Sequence, residues 1–73
     1  MSADLLRQCG EALYGSRWQT DLAAALGVSD RTIRRWATDQ TSVPRGVYTD
    51  LLRMTMERTI VLDDLAERLK EVG

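Results

Sequence analysis

The sequence predicts an all-α domain of four to five short helices, and three observations carry that prediction. Apolar side chains recur at spacings of three and four residues along most of the 73-residue chain, which is the period of one helix face. Gly15, Gly27 and the polar stretch "TDQTSVP" interrupt the pattern, where helices would stop and restart. Two of the resulting segments meet at "LGVS" with the spacing of a helix-turn-helix. The length allows one domain, 1–73. A domain of this size buries only about 60% of its unfolded surface. Its core is therefore thin and oligomerisation is the expected support.

Each element follows from local chemistry. "ADLLRQCGEALYG" puts Leu5, Cys9 and Leu13 at i, i+4 and i+8 with Ala12 beside them. Ser2 or Asp4 can cap this helix, and Gly15 can end it. Gly10 in its interior costs about 1 kcal/mol relative to alanine. In "SRWQTDLAAALG", Ser16 and Gln19 have the spacing of a capping box. Leu22, Ala25 and Leu26 form the apolar stripe, with Ala23 next to it, and Gly27 ends the helix. In "VSDRTIRRW", Ser29 is the N-cap and Asp30 suits the helix dipole. Ile33, Trp36 and Ala37 face inward, leaving Arg31, Thr32, Arg34 and Arg35 outward. Pro44 opens a further helix carrying Val47, Tyr48, Leu51 and Leu52 on one side. The β-branched run Thr59-Ile60-Val61 weakens helix locally, which predicts a kink or break between residues 56 and 62. Met54 and Met56 read as flexible packing or interface residues. Beyond the expected break, Leu62, Leu65, Leu69 and Val72 form the seam of a helix that packs against another helix. The C-terminal helix 60–72 is thus the expected dimerisation element.

Composition excludes several classes of function. The chain has one cysteine and no histidine, so an intrachain disulfide and the usual zinc sites are out. Cys9 reads as a small core residue. No apolar run approaches the roughly 18 residues of a membrane span, and "MSADLLRQCG" lacks the features of a signal peptide. A cytoplasmic location is expected. Without histidine, a Gly-rich phosphate loop or paired carboxylates in a pocket, no enzyme activity, cofactor or small-molecule ligand is expected. The formal net charge of −1 hides an asymmetry. Residues 31–45 set Arg31, Arg34, Arg35 and Arg45 against Asp39 alone, a local balance of +3. Residues 50–73 carry four basic and six acidic side chains, a balance of −2.

The two helices around "LGVS" give the basic segment a use. Ala23 allows a close helix crossing, Gly27 supplies the positive φ of the turn, and Val28 plugs the angle. Gln19–Trp36, "QTDLAAALGVSDRTIRRW", resembles the helix-turn-helix of Cro- and lambda-repressor-like (XRE-type) regulators. It matches their form Q-x-x-L-A-x-x-L-G-V-S-x-x-T-I-x-x-W over 18 residues, with compatible surroundings over about residues 3–58. Small phage and mobile-element regulators, including anti-CRISPR-associated repressors, are similar in size and layout. The resemblance implies a lambda-repressor-like DNA-binding fold whose second helix enters the major groove. It places Asp30, Arg31 and Arg35 at base edges. Gln19, Thr38 and the loop residues Gln40, Thr41 and Ser42 fall where the family touches or supports backbone contacts. Trp18 stands where the family has Ser or Thr. Either the helix begins a turn earlier at Ser16, or Trp18 packs at the protein–DNA boundary.

The side-chain chemistry points the same way. Arginine can bind guanine O6 and N7 with two hydrogen bonds. Arg31 and Arg35 share a face at i, i+4, so both are expected base readers. Arg34, about 100° around the helix, suits phosphate, as do Thr32, Arg45 and Arg17. The expected function is a sequence-specific double-stranded DNA-binding regulator. Its expected form is a homodimeric repressor, or autoregulator, of a phage or mobile-element promoter, bound to an inverted-repeat operator. The alternatives are a DNA-binding antitoxin, an excisionase-like protein, or a helix-turn-helix interaction module that does not read DNA.

Overall fold

A computed structural model describes residues 3–73. All regular structure among them is helical: α1 (Ala3–Tyr14), a 3-10 turn (Gly15–Arg17), α2 (Trp18–Leu26), α3 (Asp30–Ala37) and α4 (Arg45–Val72). Helices α1 to α3 pack on one another, and the N-terminal half of α4 closes the group against α1. The core is Leu6, Leu13, Trp18, Leu22, Ala23, Ile33, Trp36 and Leu51. Among the described residues no helix is long and apolar enough to cross a membrane.

Helix α1 buries a different face from the one its spacing suggests. Ala3, Leu6, Gly10 and Leu13 point inward, whereas Leu5 is 39% exposed, Ala12 is exposed and Cys9 is half-buried. Of the expected stripe, only Leu13 is buried. The cause is Gly10. A Cβ there would lie 2.7 Å from Trp18 Cδ2 and closer still to Cε3. The indole of α2 occupies the space a side chain would need, and this sets which face of α1 turns inward. Of the two expected caps, Asp4 lies inside α1. Ser2 lies outside the described residues, and the Asp4 carboxylate pairs with Arg7 at 2.7 Å on the surface of the first turn.

Gly15, at φ 80°, turns the chain out of α1 and into the 3-10 turn. This takes Ser16 away from α2, so the expected Ser16–Gln19 capping box does not form. Arg17 immediately precedes the helix, with no side-chain cap. On α2, Leu22 and Ala23 are buried and Leu26 half-buried, but Ala25 is exposed. Its place on the expected stripe is filled by Trp18.

The connection from α2 to α3 matches its local signals. Gly27 adopts φ 72°. The Val28 N–H donates to the Ala23 carbonyl at 3.0 Å and the Gly27 N–H to that of Ala24 at 3.3 Å, the paired bonds of a glycine-ended helix. Ser29 Oγ accepts from the Thr32 N–H at 3.2 Å and caps α3. Ile33 is fully buried and Trp36 nearly so, which fixes the inner face of α3. Its end uses the same bond pattern without glycine. Asp39 takes φ 61°, the Asp39 N–H donates to Trp36 and the Gln40 N–H donates to Arg35 at 2.9 Å.

Helix α4 is unbroken across Thr59–Val61, contrary to the expected kink and to a separate helix at 60–72. β-Branched residues weaken a helix without forbidding it. Here the Thr59 hydroxyl donates to the Thr55 carbonyl at 2.9 Å, inside the helix. Val47 and Tyr48 are half-buried and Leu51 is buried, but Leu52 is 60% exposed. Met54 reaches the core and Met56 does not. Arg58 donates to the Leu13 carbonyl at 3.1 Å, the last anchor of α4 on α1. From Met56 to Gly73 every residue is exposed. The helix measures about 42 Å at about 1.5 Å per residue and dominates a molecule of 48 × 22 × 20 Å.

Candidate functional site

The outer face of α3 is built by the residues on its inner face. Ile33 and Trp36 hold one stripe in the core, and helical periodicity then sends Arg31, Arg34 and Arg35 outward, where all three are exposed. With Thr38 and Gln40 they line one open depression. The helix is short and is fixed at both ends, by Ser29 at the start and by the Asp39 turn at the finish. Its arginines therefore project from a positioned backbone.

Their electrostatic setting separates them from most other cations of the molecule. Arg7 pairs with Asp4 and Glu11, Arg53 with Glu57, Arg68 with Asp64, and Lys70 with Glu67. Arg58 is held by the Leu13 carbonyl. Among the described residues, Arg31, Arg34 and Arg35 have no ion-pair partner, and Arg17 and Arg45 have none either. The nearest acid in sequence, Asp30, makes no ion pair with them. Its Oδ2 accepts a hydrogen bond from Thr20 Oγ1 at 3.1 Å, tying the start of α3 to α2. Three guanidiniums without internal partners leave their donor forks open to an anion from outside.

The other candidate residues divide into those that join this face and those that do not. Thr32 is half-buried, with Oγ1 3.0 Å from Ser29 Oγ in the cap. Gln19 is half-buried in the first turn of α2. Thr38 lines the depression, but its hydroxyl donates to the Arg34 carbonyl at 2.8 Å and closes the helix. The backbone N–H groups of Gln40 and Thr41 are likewise used on the Arg35 carbonyl, while the side chains of Gln40, Thr41 and Ser42 are exposed. Arg17 is exposed on the 3-10 turn. Arg45 is exposed but lines a separate groove between α1 and α4 with Leu5, Cys9 and Tyr48. It is not part of the α3 depression. Trp18 is the clear correction. It is 6% exposed, packs on Gly10 and belongs to the core rather than to an outer boundary.

Two features of this region were not singled out in the sequence. Thr20 supports Asp30 across the α2–α3 crossing, a pairing ten residues apart that only the crossing geometry creates. Asp39 carries the positive φ that ends α3. Its carboxylate also helps raise the pKa of the Tyr48 hydroxyl above its ordinary value, after partial burial and ahead of Cys9. The expected dimer residues Leu62, Leu65, Leu69 and Val72 are 56%, 44%, 70% and 85% exposed along the free half of α4. No protein-family model matches the chain, and no curated protein or solved structure matches it.

Proposed function

We propose that the protein is a sequence-specific double-stranded DNA-binding regulator with α2 and α3 as its helix-turn-helix and α3 in the major groove. One observation carries the reading: Arg31, Arg34 and Arg35 stand exposed and unpaired on a short helix pinned by its inner face. The ordered resemblance of Gln19–Trp36 to Cro- and lambda-repressor-like motifs supports the same docking. Arg31 and Arg35 read base edges, Arg34 contacts phosphate, and Asp30 fixes the start of α3 through Thr20. The seam Leu62, Leu65, Leu69 and Val72 joins two copies, so the dimer covers an inverted repeat and represses by occupying a phage or mobile-element promoter. In that arrangement the half-site centres lie about 34 Å apart.

Gel-shift titrations on the chain's own upstream region test the assignment. Arg31→Ala and Arg35→Ala each lose about 1–3 kcal/mol of discrimination between operator and random DNA. Arg34→Ala weakens both DNAs alike. A double Arg31→Ala, Arg35→Ala variant that binds the operator at wild-type affinity overturns the site. Absence of specific binding by the wild-type chain favours the interaction-module reading.

A further inference from the structure

The groove between α1 and the first half of α4 is lined mainly by apolar side chains. Leu5, Cys9, Tyr48, Leu51 and Leu52 line it, with Arg45 as its charged residue. Leu5 and Leu52 remain 39% and 60% exposed there, so the single chain leaves the groove unfilled. A second apolar feature, the Leu62–Val72 seam, lies on the part of α4 that extends beyond α1 with no side chain buried.

One line of residues joins the two. Tyr48, Leu52, Thr55, Thr59, Leu62, Ala66 and Leu69 follow each other at alternating spacings of four and three. That is a heptad stripe, it carries no charge, and it runs from the groove into the free half of α4. A stripe of this kind fits a second helix laid along its whole length.

We propose that two copies pair through α4 in antiparallel fashion, each inserting its C-terminal seam into the α1–α4 groove of the other. This rests on the dimer part of the proposed function and specifies its geometry. End-to-end overlap of the two helices brings Leu62 beside Thr55 of the second copy, Leu65 beside its Leu52 and Leu69 beside its Tyr48. The groove of each subunit is thereby filled by the seam of the other, and the contact is isologous, as a two-fold dimer requires.

Charge selects this direction over a parallel pair. The first half of α4, residues 45–58, carries Arg45, Arg53 and Arg58 against Asp50 and Glu57, a balance of +1. The second half, residues 59–72, carries Arg68 and Lys70 against Asp63, Asp64, Glu67 and Glu71, a balance of −2. Antiparallel pairing sets unlike halves together and opposes the helix dipoles. Parallel pairing sets the acidic halves together and leaves both grooves open.

A spin label on Gly73→Cys, in a Cys9→Ser background of the full chain, reads the direction. Antiparallel docking puts the two labels at opposite ends of the helix pair, about 40 Å apart for 28 residues at 1.5 Å each. A distance below about 15 Å, near the 8–10 Å spacing of packed helices, overturns the docking while leaving a dimer in place. A monomer by light scattering at tens of micromolar overturns the dimer itself, whatever the DNA binding. Charge exchange gives a second readout. Leu52→Glu and Leu65→Lys each weaken self-association by about tenfold or more, and mixing the two restores a heterodimer. Failure of the mixture to associate, with both variants folded by circular dichroism, also overturns the docking.

Discussion

Gly10 shows how a single missing side chain can organise a small core. By helix propensity alone, Gly10→Ala is a gain of about 1 kcal/mol. The Trp18 ring removes that gain, because a Cβ at residue 10 would overlap three ring carbons. Overpacking of this kind costs about 1–3 kcal/mol, and the indole, itself buried in the core, has little room to move aside. The expected outcome is a net loss of up to about 2 kcal/mol, seen as a fall in Tm of about 4–8 °C for each kcal/mol lost. Trp18→Leu in the Gly10→Ala background recovers part of the loss, since the two residues share one volume and their effects do not add. A variant Gly10→Ala that melts higher than wild type would show that the indole does not occupy this space. The same pair explains why the inner face of α1 departs from its apolar spacing. Leu5, Cys9 and Leu13 make a regular stripe, but the actual one runs through a glycine. A glycine looks like a flaw in a helix until its compensating tryptophan, eight residues on, is placed against it.

At the scale of elements, what could be read from the sequence was what local chemistry decides. Ser29 caps α3, Gly27 ends α2, and Ile33 with Trp36 fixes which face of α3 looks outward. These depend on neighbours within one turn of helix, so the outward set Arg31, Arg34 and Arg35 was readable too. The capping box at Ser16 failed because Gly15 redirects the backbone before the box can close, and Thr20–Asp30 depended on a helix crossing. Helix α4 was expected to break at its β-branched residues, yet hydroxyl bonds within the helix and surface ion pairs carry it through. Continuity has a testable consequence. The core ends with Leu51, and the last anchor to α1 is Arg58. A chain ending at Thr59 therefore keeps every buried side chain and its cooperative unfolding, because surface residues away from special features each contribute within about 0.5 kcal/mol. Thermal melts by circular dichroism at submicromolar concentration check this. A broad, non-cooperative melt would mean that the free half of α4 supports the domain directly. The same truncation abolishes any dependence of Tm on protein concentration, since that dependence comes from association.

For the whole molecule, charge placement matters more than charge total. A chain of net charge −1 is not drawn to DNA by its overall field, and the acidic half of α4 is repelled by it. The basic face belongs to α3 and the acidic end to the exposed second half of α4, so in the proposed complex the repulsive part lies between subunits while the arginines meet phosphate. Salt dependence counts those contacts. The slope of log K against log salt changes by about 0.9 for each phosphate neutralised on B-DNA. In the proposed complex Arg34→Ala removes one such contact per subunit, and the proposed dimer carries the substitution twice. Fluorescence-anisotropy titrations across a salt series should therefore show the slope becoming less negative by about 2. A change of about 1 would mean that one α3 face engages the DNA at a time. No change would place Arg34 off the phosphate backbone, and with it the orientation of α3 proposed for the groove.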